Sequence, residues 1–368
     1  MNITTVGIDL AKSVFQVHGV DQHGKVVLKK QLKRSQVLPF FGSLPPCLIG
    51  MEACGGAHHW ARRLQNIGHE VRLMAPQFVK LYVKGNKHDA ADAEAICEAV
   101  ARPSMRFVPI KSVDQQAVLS MHRARQSFVR ARTSQANQIR GLLSEYGLII
   151  PQGINHIARR VPELLEDAGN ELPDTFRVLL ARLLEHMKNL DLQVKELELQ
   201  IVDWHRHNEL SRRLASVPGI GALTASALVA TVGDARNFQS GRQLAAWLGL
   251  VPKQHSSGGK TVLLGISKRG DAYLRTLLIH GARATLWAAQ RHSGTAAQGG
   301  AGPMGDWSAC ATQFECRGGC DGEQDCAHHL GDADKRTAIR PAIHTDFSLA
   351  VTPYATVFTR LSGANALM

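Results

Sequence analysis

The sequence predicts an α/β segment built on a mixed sheet, followed by an all-α remainder, and three observations carry that prediction. Short β-rich runs at residues 3–9, 14–20 and 26–32 are separated by tight turns, as in a hairpin meander. From Cys47 to about residue 101, apolar strands alternate with helix-like spacing, which puts helices on the faces of a sheet. Beyond Val113 the strand signal fades, and apolar residues recur every three or four positions over long stretches.

Each element follows from its residues. Residues 3–9 read as a buried strand ending at Asp9, and Val14–Val20 alternates as a second. Asp21-Gln22-His23-Gly24 is a turn and Val26–Leu32 a third strand. After Pro45-Pro46, Cys47–Met51 is a short apolar strand that ends at Glu52. Helical spacing over 57–67, a strand over Glu70–Met74, a short helix from Pro76 and a helix over 89–101 complete this part. Residues 113–146 read as one helix, with Val118, Met121, Phe128 and Ile139 among arginines and glutamines. A second long helix covers 173–207, where Leu179, Leu183, Leu190, Val194, Leu197 and Ile201 form a core stripe or a coiled-coil seam.

Ser216-Val217-Pro218-Gly219-Ile220-Gly221, followed by an Ala/Leu-rich helix, has a helix-hairpin-helix look. In such a turn, glycines (here Gly219 and Gly221) let backbone N–H groups face a phosphate. A loop at Pro252–Lys260 leads to Ile266-Ser267-Lys268-Arg269-Gly270-Asp271 and a helix over 271–289. In 290–368 periodicity fades, small residues dominate, and Cys310, Cys316, Cys320 and Cys326 cluster. The expected divisions are 1–112, 113–210, 211–289 and an atypical tail, 290–368.

A net charge of +12 points to a polyanionic partner. The charge is uneven. Between 111 and 160, Lys111, Arg123, Arg125, Arg130, Arg132, Arg140, Arg159 and Arg160 face only Asp114 and Glu145. Met1-Asn2-Ile3-Thr4-Thr5 lacks a basic leader region, and no apolar run approaches the ~20 residues that span a bilayer. A cytoplasmic, reducing location is therefore expected, and the seven cysteines are not expected to form a disulfide framework.

Four carboxylates carry the chemistry: Asp9, Glu52, and the pair Asp89 and Asp92 in Lys87-His88-Asp89-Ala90-Ala91-Asp92. Asp9 and Glu52 end apolar strands, and Asp89 and Asp92 lie at i and i+3, on one helical face. For Asp89 alone, capping a helix that begins near Ala90 is the plainer reading. Together, acids delivered from two strands and a helix suit a pair of hard cations, Mg²⁺ or Mn²⁺, which take oxygen ligands. Such a pair serves in-line phosphoryl displacement, as in ribonuclease-H-like sites.

The stretches GIDLAKSVFQVHG, GMEACGGAHHWARRL and KHDAADAEAICEA resemble transposases of the insertion-sequence-110 family, most of all its insertion-sequence-1111 subgroup. So do LASVPGIGALTASALVATVGDARNF, AAWLGLVPKQHSSGGKT and ISKRGDAYLRTLLIHGAR, and the resemblance spans residues 3–289 in order. It implies a RuvC-like N-terminal domain with an Asp-Glu-Asp-Asp tetrad on Asp9, Glu52, Asp89 and Asp92. It also implies a coiled-coil middle and a helical C-terminal transposase domain with a nucleophilic serine. That serine falls on Ser257, with Ser256 as the near alternative. A serine hydroxyl is a weak nucleophile that needs activation by a base or metal. From the residues alone, Ser256-Ser257-Gly258-Gly259 reads as a flexible loop.

On the same resemblance, Lys260, Lys268 and Arg269 become phosphate contacts, or else simply solvated charge, and a structured guide RNA joins the DNA element ends and target as partners. The basic helix is the expected grip on RNA or DNA backbone, through Arg123, Arg130 and Arg140. A dimer or tetramer is expected, because a recombinase cuts several strands.

Two other readings compete. A structure-selective nuclease of the junction-resolvase type would use the tetrad without the serine. An actin-like ATPase would use Gly7-Ile8-Asp9-Leu10 as a phosphate loop, but the sequence lacks the second phosphate loop and the adenosine loop that fold needs. The tail departs from the family, which continues into a helical end. Reading Glu315–Lys335 one nucleotide later permits a family-like helix, so a frameshift near 290–303 is expected. A zinc site from Cys310, Cys316, Cys320, Cys326, His328 and His329 is the alternative, without the paired Cys-x₂-Cys spacing of zinc ribbons.

Overall fold

The computed structural model describes residues 2–83 and 89–295. The chain divides into two compact units, Met1–Gln116 and Ala117–Met368. The zinc expectation lies outside the described residues, as do Lys87, His88 and all of the frameshift interval beyond residue 295.

The first unit is built on a six-stranded sheet. β1 (Thr5–Leu10), β2 (Val14–Val20) and β3 (Val26–Lys33) form an antiparallel meander. A 3-10 turn at Arg34–Gln36 and α1 (Val37–Gly42) lead to β4 (Leu48–Glu52), which pairs parallel to β1. α2 (Ala57–Gln65) crosses to β5 (Glu70–Met74), parallel to β4, and α3 (Pro76–Val79) and α4 (Asp89–Val100) follow. β6 (Phe107–Val108) closes the edge antiparallel to β5, giving the order β3-β2-β1-β4-β5-β6. This mixed α/β arrangement fits the RuvC-like expectation.

The two sheet faces are used differently. Val6, Ile8, Ile49 and Met51 pack with Phe15, Phe41, Trp60, Ala61 and Leu64 in one buried core. On the opposite face the strands offer Gly7 and Gly50, paired in register, and α4 lies directly on them. A Cβ at Gly7 would stand 2.2 Å from the Ala93 carbonyl oxygen, and one at Gly50 would stand 2.7 Å from the Val100 side chain. The missing side chains set how closely the helix approaches.

In the second unit the long helices appear as expected. α5 (Val113–Ser144), which begins just before the boundary, α6 (Ile154–Glu166) and α7 (Asp174–His207) share a core of Ile139, Leu143, Ile157, Val161, Leu180, Leu184 and Met187. The buried stripe of α7 matches the expected one at Leu190, Val194 and Ile201 and differs from it in the first half of the helix. Leu180, Leu184 and Met187 face the core, while Leu179 is 42% exposed. The register is set by where α5 and α6 pack, which the α7 sequence does not contain. α6 was not expected from the sequence: Ile154, Ile157, Val161 and Leu165 keep helical spacing, but Pro162 interrupts the signal.

α8 (Glu209–Leu214) and α9 (Ala222–Val232) follow, joined by a turn with Gly219 at φ +83°. α10 (Gly241–Trp247), β7 (Pro252–Ser257), β8 (Lys260–Ile266) and α11 (Ala272–Thr295) complete the unit. Residues 252–260, expected as a loop, instead belong to an antiparallel hairpin. The hairpin has almost no buried residue, so its sequence carries none of the alternation that marks a strand. Its one signal was Gly258-Gly259, a two-residue turn with both φ positive (+54° and +78°), as a type I′ turn requires.

A buried polar chain ties this unit together. His122, 1% exposed, lies 2.9 Å through Nδ1 from the Tyr273 hydroxyl and 3.0 Å through Nε2 from Ser226 Oγ. The Ser226 hydroxyl donates to the Ala222 carbonyl at 2.7 Å, so it accepts from His122 Nε2–H, and Nδ1 accepts from Tyr273. Burial, then Arg125, lowers the His122 pKa to about 4. A folded pKa below the unfolded one means stability that is fully present above pH ~6.5 and is lost as pH falls toward ~4. His122→Gln should remove that dependence. The difference in unfolding free energy between wild type and variant should change by a few kcal/mol between pH 7 and 4. A pH-independent difference in denaturation midpoints would refute it.

Candidate functional site

The Gly-x-acid repeat in the two parallel strands builds the site. Side chains alternate, so Asp9 shares a face with Gly7, and Glu52 shares one with Gly50. Both acids thus emerge at the carboxyl ends of β1 and β4, on the side where α4 lies. Continuing the register one step past Ile8–Met51 sets Asp9 beside Glu52.

α4 starts at that same end, with Asp89 and Asp92 in its first turn. Acids there are favoured by the positive end of the helix dipole. One carboxylate oxygen from each of Asp9, Asp89 and Asp92 lies within 4.8 Å of the others. Asp9 and Asp92 are half-buried, and Asp89 is exposed. Glu52 is outside this group of three but close to it. The Cys54 thiol is pushed up first by partial burial, then by the charges of Glu52 and Asp9.

Three carboxylates this close repel one another unless a cation or protons intervene. An all-oxygen donor set of this kind fits a hard divalent cation, and the three acids could hold one.

In the second unit, Ser257 is the last residue of β7, directly before the Gly258-Gly259 turn and paired across it with Lys260. It is exposed, as is Ser256. The two serines differ in their surroundings. Ser256 Oγ accepts from Gln254 Nε2 at 2.8 Å. By strand alternation Ser257 shares its face with His255 and Lys260.

Segment 267–270, just after β8, lies against residues 247–251, just before β7, with the Ser267 N–H donating to the Val251 carbonyl at 2.8 Å. Lys268 holds φ +54° and donates its N–H to the Gly249 carbonyl. Arg275 Nη1 donates to the Leu248 and Gly270 carbonyls, and Asp271 caps α11 through the Tyr273 and Leu274 N–H groups. Lys268 and Arg269 are exposed. Gly219 is in close contact with α11, where an added Cβ would meet the Gly281 carbonyl at 2.7 Å. Packing alone therefore requires its small size. Gly221 precedes α9 with open space around its Cα.

On α5 the arginines separate into two sets. Arg125 pairs with Glu198 and Arg132 with Asp191, both on α7. Arg123 and Arg130, seven residues apart, are exposed on a common face. Arg140 is half-buried and bonded to Asn137.

Comparison with known families decides the assignment. Residues 6–148 match a transposase model of the Asp-Glu-Asp-Asp type from the IS110 group, and residues 211–297 match the model described as "Transposase IS116/IS110/IS902 family". A probable family 20 transposase of Pseudomonas aeruginosa is 57% identical over 287 residues, 78% of this chain and 85% of that protein. The chain belongs to this family of transposases.

Other relatives agree. The transposase for IS1111A of Coxiella burnetii is 46% identical, covering 77% of this chain and 78% of its own. The transposase for IS1328 of Yersinia enterocolitica is 44% identical, covering 81% and 88%. The chain is thus a transposase, an enzyme that acts on DNA. Among the described residues no helix is long and apolar enough to cross a membrane.

In this transposase Gly7, weighed from sequence only as part of a phosphate loop, matters to the site because it lets α4 approach the strand that carries Asp9. Gly7-Ile8-Asp9 and Gly50-Met51-Glu52 share the same Gly-x-acid step. Gly7→Ala would press a methyl on backbone atoms of α4, costing about 1–3 kcal/mol. It should also carry Asp89 and Asp92 away from Asp9. Mn²⁺ affinity should fall in the folded variant, whereas Gly19→Ala, whose Cβ meets only the Leu28 and Ile3 side chains at 3.1 Å or more, should keep it. Equal Mn²⁺ affinity in both variants would refute the link between that glycine and the site.

Proposed function

We propose that this transposase cuts and rejoins DNA with the carboxylates Asp9, Glu52, Asp89 and Asp92 and with Ser257 as the nucleophile. The convergence of Asp9, Asp89 and Asp92 within 4.8 Å carries this reading. Mg²⁺ or Mn²⁺ bound there would stabilise charge on the attacking and leaving oxygens of an in-line displacement. Glu52, beside Asp9 at the ends of paired strands, is the fourth carboxylate.

The Ser257 hydroxyl attacks a DNA phosphorus, forming a Ser–O–P bond and releasing a deoxyribose oxygen that takes up a proton. Reversal by a hydroxyl of another strand rejoins DNA and frees the serine. The position of Ser257 at an exposed hairpin tip supports its access to a bulky polymer. The bond from Gln254 to Ser256 supports Ser257 over Ser256.

Lys260, Lys268 and Arg269, all exposed, would hold backbone phosphates near that tip. The turn at Gly219 and Gly221 before α9 would offer a further N–H contact. Arg123 and Arg130, with Arg140 further along α5, would grip a structured guide RNA or DNA backbone. The helical middle would form a coiled coil in a dimer or tetramer, working on DNA in the bacterial cytoplasm. The family match stops at residue 297, which supports the reading of the tail as out-of-frame sequence. Sequencing the gene and its flanks tests that point.

The function is tested by incubating the protein with DNA carrying an element end and target, with the transcript of the element's flank. A covalent protein–DNA adduct that forms with Mg²⁺ and not with EDTA is expected. Metal-independent cleavage, or cleavage without an adduct, would overturn the corresponding half of the reading.

A further inference from the structure

The end of the sheet that carries Asp9 also carries a cationic cleft. Lys12, Ser13 and Val14 line it from the β1–β2 turn, and Lys33, Arg34 and Ser35 from the exit of β3, around a volume of about 630 Å³. Val14 pairs with Lys33, and the Arg34 N–H donates to the Ser13 carbonyl at 3.1 Å, so the two segments are held together by backbone. The Arg34 guanidinium is held in place as well. It lies 5.2 Å from the Trp60 ring centroid and 5.9 Å from that of Phe15.

The cleft is one-signed. Between Asp9 and Glu52 the only acid is Asp21, at the far turn of the meander, against Lys12, Lys25, Lys29, Lys30, Lys33 and Arg34. The positive field reaches α2, where burial, then Arg63, Arg62 and Arg34, lowers the His59 pKa. The fold itself needs neither Lys12 nor Lys33, which are exposed.

We propose that this cleft binds a backbone phosphate of the DNA strand being cut, through Lys12, Lys33 and Arg34, with the Ser13 and Ser35 hydroxyls as neutral partners. The proposal rests on the functional reading above. Lys12 follows Asp9 by three residues, so at most ~10 Å of chain separates the cleft from the carboxylates. A phosphate held there fixes where the neighbouring strand lies against them. Fixed, fork-shaped donors such as Arg34 suit a phosphodiester, and unopposed lysines add the counter-charge that three carboxylates lack.

The test measures binding of a fluorescent 20-nucleotide single-stranded DNA to the full chain with Ca²⁺ present, as a function of salt. Lys12→Ala and Arg34→Ala should each weaken binding about 3–10-fold and lower the slope of log K against log salt by about 1. Lys25→Ala, an equal charge change at the opposite end of the sheet, should change Kd less than twofold. Equal binding by all three variants overturns the cleft assignment alone. A wild-type chain that binds no DNA overturns the functional reading, and the cleft with it. A loss seen with RNA of the same sequence and not with DNA overturns the assignment to the cut strand.

Discussion

Asp9→Asn is expected to slow DNA cleavage by about 10³-fold or more and, in EDTA, to raise the melting temperature. The two halves have one cause. The substitution keeps the shape of the side chain and removes one negative charge from three acids within 4.8 Å of one another. Without metal, those charges repel, and relieving the repulsion stabilises the fold. With metal, the lost ligand weakens charge stabilisation in the transition state, where ~4 kcal/mol corresponds to ~10³ in rate. Wild type should also gain melting temperature on adding Mg²⁺ or Mn²⁺, and the variant should gain little. A variant that loses stability in EDTA along with its activity would make Asp9 a structural residue, not a ligand.

Ser257→Ala is expected to abolish the covalent protein–DNA adduct, while Ser256→Ala retains it. Both serines are exposed on a hairpin that buries almost nothing, so neither change should alter stability by more than about 0.5 kcal/mol. That makes the comparison clean. Ser256 Oγ already accepts a hydrogen bond from Gln254, whereas Ser257 shares its strand face with His255 and Lys260. Residual hydrolysis by Ser257→Ala without adduct would point to direct attack by water and to a resolvase-like enzyme. Loss of the adduct in Ser256→Ala alone would transfer the role to Ser256.

The carboxylates were legible because an acid ending an apolar strand is costly unless something uses it. Val6–Ile8 before Asp9 and Leu48–Met51 before Glu52 both make that pattern. The i, i+3 spacing of Asp89 and Asp92 supplied the helical face. What brings the helix onto the strands, the paired glycines Gly7 and Gly50, depends on parallel register across about forty residues, which local pattern does not encode. The division of the α5 arginines was hidden for the same reason. Arg125 and Arg132 find Glu198 and Asp191 some sixty to seventy residues away, and nothing near them in sequence distinguishes them from Arg123 and Arg130. The hairpin of Ser257 escaped because strand recognition relies on a buried face, and this hairpin has none.

The most direct measurement is Mn²⁺ binding by the purified chain, followed by electron paramagnetic resonance of the free ion. Wild type should bind Mn²⁺, with affinity reduced at least tenfold in Asp9→Asn and in Asp92→Asn and unchanged in Asp114→Asn, which lies outside the cluster (tenfold being about 1.4 kcal/mol). Equal Mn²⁺ affinity across all four proteins would contradict a metal role for the carboxylates at the ends of β1 and α4.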